Sequence, residues 1–143
     1  LRSGQRLNEL LERIQIGRAF TCYQMLTLLS EMSSAVLSPA SRSLASPPVL
    51  VLDLLATFYD ESVPAIEAER LLKECVAHLK HLSAVAPVVV SIRPIQLLAA
   101  CEERAALQGI LQAEAHRVWI LETSASRDFQ LSLPLSKGKM PPG

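Results

Sequence analysis

The stretch Val49-Leu50-Val51-Leu52-Asp53-Leu54-Leu55 decides the fold class of this 143-residue chain. It follows two prolines, is partly β-branched, and runs without polar alternation up to Asp53. Continuous apolar runs of this length are typical of parallel strands that are buried on both faces of a sheet. We therefore predict a central parallel strand that ends near an acidic side chain.

Further strands and helices alternate after this stretch. Residues 87–92 predict a second buried strand, and residues 117–122 predict a third. Apolar residues at helical spacing predict helices over 66–82 and 97–115, the latter with exposed charges that include Arg104. Parallel strands need crossover connections, so the sequence predicts an α/β fold in which a parallel sheet carries helices on both faces, three layers in all.

In the N-terminal third, the spacing of apolar residues also changes between that of a helix and that of a strand. A helical pattern over residues 7–14 leads into a strand-like run over 14–20, and a helix from Cys22 follows with Thr21 as its N-cap. Residues 38–48, rich in Ser, Ala and Pro, predict a loop.

The C-terminal part completes a single predicted domain over residues 1–136. Residues 129–135 alternate in hydrophobicity and predict a half-exposed edge strand, antiparallel to its neighbour, and residues 137–143 form a tail. The predicted sheet core packs strand residues against one helix: Val51, Leu52, Val89, Val90, Trp119 and Ile120 against Leu72, Val76 and Leu79.

Composition sets the class of protein. Half of the residues are hydrophobic, which suits one compact domain, and 14 basic residues balance 14 acidic ones. No overall field attracts nucleic acid or anionic lipid, so a nucleic-acid contact would be local. No apolar run in the sequence approaches the ~20 residues of a membrane span, and we expect no secretory signal at its start. Three scattered cysteines, Cys22, Cys75 and Cys101, predict reduced thiols in an intracellular protein. The chain starts at Leu1, and we expect it to be a segment of a longer protein.

Asp53 is the candidate for nucleotide chemistry. An acid that closes a hydrophobic strand has the form of a Walker B strand, whose carboxylate reaches magnesium beside a bound nucleotide. Buried strands also end in Asp for turn or capping reasons, and this reading stays open. The partner motif Gly-x-x-x-x-Gly-Lys-Ser/Thr occurs nowhere in the sequence.

The histidines and cysteines suggest weaker sites. Cys75, His78 and His81 lie three residues apart on one predicted helix, a spacing that would in principle hold zinc. A fourth ligand is missing and the helix rotates the flank away, so the favoured reading is a buried cysteine beside two surface histidines. His116 precedes a strand and is read as a loop residue, without a nucleophile for a hydrolase triad.

Contacts with nucleic acid are expected in the loops that follow the strands, where open α/β sheets place their ligands. The loop over residues 57–64 carries Asp60 and Glu61 and should repel phosphate. The segment after the second strand carries Arg93 and, further on, Arg104, which are the candidate phosphate contacts. Solvated charges without a ligand are the alternative.

The order of these segments resembles the ATPase core of the RecA-like recombinases, specifically their divergent eukaryotic paralogs. The residues that carry the resemblance are 13–21 (RIQIGRAFT), 23–26 (YQML), 49–53 (VLVLD), 69–72 (ERLL), 87–92 (PVVVSI) and 114–122 (EAHRVWILE). The resemblance implies a RecA-like core whose phosphate loop would precede Leu1. It also implies that Ser91-Ile92-Arg93-Pro94 replaces the usual polar sensor.

The function that the resemblance implies is that of a non-catalytic subunit. It would assemble with other recombinase paralogs in the nucleus, support the recombinase filament in homologous recombination repair, and contact single-stranded DNA weakly through Arg93 and Arg104. ATP and magnesium, the latter at Asp53, would belong to the full-length protein. The alternatives are the C-terminal part of an active P-loop ATPase that acts on DNA, and an unrelated doubly wound domain.

Overall fold

The computed structural model describes residues 2–36, 38, 47–93, 102–122 and 135–136. The chain divides into two compact units, Leu1–Arg93 and Pro94–Gly143. The single-domain organisation over residues 1–136 stays a prediction.

Helices and short strands make up both units. The first unit contains α1 (Arg2–Glu12), α2 (Cys22–Val36), β1 (Val49–Val51), a 3₁₀ helix (Leu54–Phe58), α3 (Ala65–Ser83) and β2 (Val88–Val90). The second contains α4 (Glu102–Glu114), β3 (Arg117–Val118) and β4 (Leu135–Ser136). Among the described helices, none has an apolar stretch long enough to cross a membrane.

Strands β1 and β2 pair in parallel. Val49 lies opposite Val88 and Val51 lies opposite Val90, and the backbone N–H of Val49 donates to the carbonyl of Pro87 over 2.8 Å. Helix α3 lies between the two strands in sequence and supplies the crossover that parallel strands need. The mixed helix and strand class, and the parallel pairing of these two strands, are confirmed.

The core of the first unit lies where α2 packs against α3. The buried residues of α3 recur at i, i+3 and i+4, which places them on one face of the helix. The largest fully buried side chains come from α2, the 3₁₀ helix and α3: Cys22, Leu29, Leu54, Leu55, Phe58, Leu71, Leu72, Cys75 and Leu82. The predicted helix residues Leu72, Val76 and Leu79 are all buried.

One face of the two-stranded sheet is uncovered. Val49 and Val51 are buried, whereas Leu50 is 63% exposed, Leu52 is 68% exposed and Val89 is 57% exposed. Successive side chains of a strand point to opposite faces, so helices on one side bury alternate residues. The prediction that these strands are buried on both faces is wrong for the described residues, and Leu52 and Val89 are not core residues.

Trp119 and Ile120 also lie outside the core. They follow β3, a strand of two residues, and are 60% and 43% exposed. A strand this short pairs few neighbours and covers little apolar area, so the apolar residues after it stay in contact with water. The prediction that Trp119 and Ile120 lie in the sheet core is therefore wrong. Val90, which was predicted to lie in the same core, is half-buried.

The strand-like run over residues 14–20 pairs with no strand in the described part of the chain. Residues 14–19 are irregular, and Ile16 is 90% exposed. The predicted strand is wrong here, because alternation forms a strand only where a neighbour supplies ladder partners. The run still approaches α2 closely: a Cβ on Gly17 would lie 2.7 Å from Leu28 Cδ1, so a larger residue would displace that side chain.

Helix α2 begins with side-chain capping by Thr21. The backbone N–H of Gln24 donates to Thr21 Oγ1 over 3.1 Å, and the backbone N–H of Phe20 donates to Gln24 Oε1 over 2.9 Å. This arrangement satisfies two donors at the start of the helix, in the manner of a capping box. The predicted N-cap is confirmed.

The second unit pairs β3 with β4 in antiparallel fashion. Arg117 lies opposite Ser136, and Val118 lies opposite Leu135. The predicted antiparallel edge strand is thus present at Leu135, and helix α4 lies inside the predicted helical range. Residues 129–134, most of the loop predicted over 38–48, and the tail over 137–143 lie outside the described residues.

A matched pair of truncations tests the one-sided burial. Leu72→Ala removes a fully buried side chain and should lower the free energy of unfolding by about 2–5 kcal/mol. Leu50→Ala, on the uncovered face, should cost no more than about 0.5 kcal/mol. Urea denaturation followed by circular dichroism measures both, and equal losses would show that the Leu50 face is covered in solution.

Candidate functional site at the strand ends

Three polar residues meet just beyond the carboxyl ends of β1 and β2. We call Asp53, Ser91 and Arg93 the strand-end site. Backbone bonds hold the two ends together: Ser91 N donates to Val51 O over 2.9 Å, and Leu54 N donates to Ser91 O over 3.1 Å. The backbone N–H of Asp53 also donates to Ser91 Oγ over 3.0 Å. Adjacent parallel strands therefore bring together residues that are 38 and 40 positions apart in sequence.

Asp53 has a left-handed backbone conformation, with φ 53° and ψ 47°. Among the described residues it is the one non-glycine residue with a positive φ. Asp tolerates this region better than most residues, because its short polar side chain bonds locally, but the conformation still carries strain. It turns the chain directly into the 3₁₀ helix that starts at Leu54 and directs the Asp53 carboxylate toward the end of β2.

The Asp53 carboxylate is ion-paired with Arg93. Arg93 Nε donates to Asp53 Oδ2 over 2.7 Å, and Arg93 Nη2 contacts the same oxygen. The hydrogen bond to Asp53 raises the pKa of Arg93, so its charged form is stabilised further. The Arg93 side chain is 80% exposed and that of Asp53 is 30% exposed. The pair thus lies at the surface, with the guanidinium covering the carboxylate.

The second carboxylate oxygen of Asp53 has a different environment. Oδ1 is buried and accepts no hydrogen bond from the described residues. A buried acceptor without a donor is costly, so this oxygen is the part of the site that a structural role leaves unexplained.

Compared with known protein families, with curated proteins and with solved structures, the chain gives no match. The strand-end site and the fold around it therefore carry the functional argument.

Magnesium, which the recombinase resemblance implies at Asp53, does not fit this arrangement. Oδ2 already has the Arg93 guanidinium as its counter-charge, and Oδ1 is buried. Magnesium prefers several oxygen ligands in octahedral geometry. The described residues contain no cluster of three or more His, Cys, Asp or Glu side chains that would hold a metal.

The acidic segment after Asp53 folds more tightly than a loop. Its first part belongs to the 3₁₀ helix, and the backbone N–H of Ser62 donates to Asp60 Oδ1 over 2.9 Å, as in an Asx turn. Asp60 and Glu61 are exposed. Their negative charge is consistent with the expectation that this segment repels phosphate.

Arg104 is not the exposed residue that the sequence predicted. It lies in α4, in the second unit, and is 7% exposed. The expectation of an exposed Arg104 is wrong, because the long side chain is buried by packing that helical periodicity does not reveal. A buried guanidinium is poorly placed to contact a phosphate backbone.

The residues with zinc-like spacing do not converge on a common point. Cys75 is fully buried, His78 is half-buried and His81 is exposed. Burial raises the pKa of the Cys75 thiol to about 12, so it stays protonated at neutral pH. Cys22 and Cys75 form no disulfide with another described residue, and Cys101 lies outside the described residues. His116 is an exposed residue just before β3.

Sequence reasoning found Asp53 and Arg93 separately but missed their ion pair. Asp53 was expected to bind a metal and Arg93 to bind phosphate. The available signal was their position: opposite charges that follow two parallel strands of one sheet come to the same edge. Joining those two observations would have predicted the contact.

Substitutions at Asp53 separate its backbone role from its charge. Asp53→Asn removes the charge but keeps a residue that tolerates the left-handed region, whereas Asp53→Ala loses both. We expect the Ala variant to be less stable than the Asn variant by about 1 kcal/mol, the ordinary left-handed penalty. Asp53→Gly should be at least as stable as Asp53→Ala. Urea denaturation of the three variants checks this order, and an Ala variant as stable as Asn would contradict the left-handed conformation.

Proposed function

We propose that this chain is a non-catalytic subunit of the RecA-like recombinase paralog type. It assembles with partner paralogs in the nucleus and supports recombinase filament formation in homologous recombination repair. The observation that carries the proposal is the Asp53–Arg93 ion pair at the carboxyl ends of two parallel strands. Asp53 follows the strand after which a nucleotide-binding core would have its acidic residue, and Arg93 neutralises the charge of Asp53.

The proposal includes a RecA-like three-layer sheet. The β1–α3–β2 crossover is the repeating unit of such a sheet. A three-layer sheet requires a second layer of helices on the face of Leu50, Leu52 and Val89, and the described residues leave that face exposed.

The ion pair favours a scaffold over a motor. A catalytic carboxylate has to be free for a metal or a water, whereas Asp53 already accepts hydrogen bonds from a guanidinium. The alternative, the C-terminal part of an active P-loop ATPase, would use Asp53 to hold magnesium beside ATP, and Arg93 would have to move away. The position of Asp53 just beyond the carboxyl end of a parallel strand is the observation that favours this alternative.

A rescue experiment distinguishes the scaffold from the motor. In cells depleted of the protein, the full-length Asp53→Asn variant should restore a homologous-recombination reporter as well as the parent does, because the carboxylate performs no catalysis. Both forms should co-purify with the same recombinase paralogs. Glu61→Gln, an exposed acid in the neighbouring turn, is the matched control.

Two outcomes would contradict the proposal. If Asp53→Asn assembled normally but failed to restore the reporter, the carboxylate would have a catalytic role, as the ATPase alternative requires. If the parent protein purified as a monomer without recombination proteins, the chain would be an unrelated doubly wound domain.

The proposal also includes a weak contact with single-stranded DNA through Arg93. Asp53 competes with phosphate for this guanidinium, so Asp53→Asn should tighten binding of an oligo-thymidine at low salt and make its dependence on salt steeper. Each phosphate contact adds a slope of about −0.7 in log affinity against log salt for a single strand. Arg93→Ala should abolish the binding. Fluorescence anisotropy across a salt series measures both effects.

Arg104→Ala provides the contrast in this experiment. Because Arg104 is buried, its loss should reduce the stability of the second unit and leave the salt slope unchanged. Equal DNA binding by Arg93→Ala and the parent at matched low salt would place the contact elsewhere or on a partner subunit.

A further inference from the structure

Helix α1 presents an apolar stripe to solvent. Leu7, Leu10, Leu11 and Ile14 follow the i, i+3, i+4, i+7 pattern of one helix face, and each is between 52% and 59% exposed. The last turn continues past the helix end, because Arg13 N donates to Leu10 O over 3.2 Å and Ile14 N donates to Leu11 O over 3.1 Å. The stripe is therefore continuous over about two turns.

Exposed apolar residues also follow the helix in sequence. Ile16 is 90% exposed and Phe20 is 68% exposed, and the Arg18 guanidinium lies over the Phe20 ring at 4.6 Å. Monomeric proteins rarely leave contiguous apolar surface of this kind open, and such surface commonly marks a site of interaction. The i, i+3, i+4, i+7 anchors are those by which helices are recognised by other proteins.

Positive charge follows one side of the stripe. Successive residues of a helix are rotated by about 100° around its axis. Arg6 and Arg13 therefore lie on the same side of the stripe, each roughly 100° from the centre of the stripe, and they are separated by two turns. The opposite side carries the neutral Asn8. Both arginines are exposed, and none of the ion pairs among the described residues includes either of them, although Glu9 lies three residues after Arg6 and four before Arg13.

We infer that the α1 stripe docks an amphipathic helix of another protein that carries Asp or Glu beside its own apolar stripe. Burial of the leucines against the partner provides affinity. The acidic side chains select orientation and partner by meeting Arg6 and Arg13, as charges at the edges of paired helices do. The inference deepens the proposed assembly function, but its test uses no recombination protein.

A second copy of this chain is a poorer occupant. Antiparallel pairing of two α1 helices would bring the side that carries Arg6 and Arg13 against the same side of the other copy, which places like charges together. Parallel pairing would bring the arginines against the side that carries Asn8, which offers no acid. An anionic lipid surface is also disfavoured, because Glu9 and Glu12 lie on the polar face, where interfacial helices carry Lys and Arg.

The test uses two synthetic helical peptides of about three heptads each. Both carry leucine at the a and d positions; one has Glu at the e and g positions and the other has Lys. Like charges at the flanks of each peptide disfavour its pairing with itself. Binding of each fluorescein-labelled peptide to the full chain is followed by anisotropy at low salt and at about 1 M salt, where the Debye length falls to about 3 Å.

The Glu peptide should bind about tenfold more tightly than the Lys peptide at low salt, from two charge pairs of ordinary strength. The preference should collapse at high salt. Arg6→Glu combined with Arg13→Glu should reverse it, and Leu10→Ser combined with Leu11→Ser should abolish binding of both peptides. Asn8→Ser, on the other side of the stripe, is the matched control, and circular dichroism confirms that each variant is folded.

Several results would overturn the inference. Equal binding of the two peptides, no binding of either, or an unchanged preference in the Arg6 and Arg13 variant would each exclude the charge-guided helix. Sedimentation as a dimer that Leu10→Ser and Leu11→Ser disperse would assign the stripe to a second copy. Stronger binding to vesicles containing phosphatidylserine than to the Glu peptide would assign it to a membrane. None of these results bears on the Asp53→Asn rescue, so the proposed function stands or fails separately.

Discussion

The parallel pairing of β1 with β2 is the interaction on which the first unit depends. Parallel strands cannot be joined by a tight turn, so the chain must cross the sheet between them, and α3 makes that crossing. The crossing helix buries its apolar face against α2 and thereby forms the core. Because both strands run in one direction, their carboxyl ends lie side by side. The Asp53–Arg93 ion pair follows from that geometry rather than from any local sequence motif.

Local patterns predicted the elements whose stability is local or whose partner follows soon in sequence. The apolar spacing of α3 and the Thr21 cap of α2 need nothing beyond neighbouring residues, and the structure contains both. Burial on both faces of β1 was not predictable in the same way, because exposure of Leu50 is decided by what packs on the sheet from elsewhere. The run over residues 14–20 failed for the same reason: alternation is compatible with a strand, but a ladder needs a second strand.

The strand-end site shows a similar division. Position alone identified Asp53, since an acid at the end of a buried strand is visible in the sequence, and Arg93 was visible as a basic residue after the next strand. Their direct contact and the left-handed backbone of Asp53 were not visible, because both depend on how the two strand ends are joined through Ser91. Arg104 was misplaced because a long side chain can be exposed or buried at the same helical position.

The chain has zero net charge, and ion pairs neutralise some of its charges but not others. The charges left without an ion pair give parts of the surface a local electrostatic character. Arg70 on α3 forms ion pairs with Glu67 and Glu74, and the hydrogen bond from Arg70 lowers the pKa of Glu67, so these charges satisfy each other along the helix. Arg93 forms an ion pair with Asp53 at the strand ends.

Arg6 and Arg13 form no ion pair with an acid among the described residues, and they lie beside the exposed stripe of α1. Exposed leucines alone would bind any apolar surface, and exposed arginines alone would bind any anion weakly. Together on one helix they restrict binding to a surface that is apolar and acidic at the same spacing, which is the physical basis of selectivity in helix pairing.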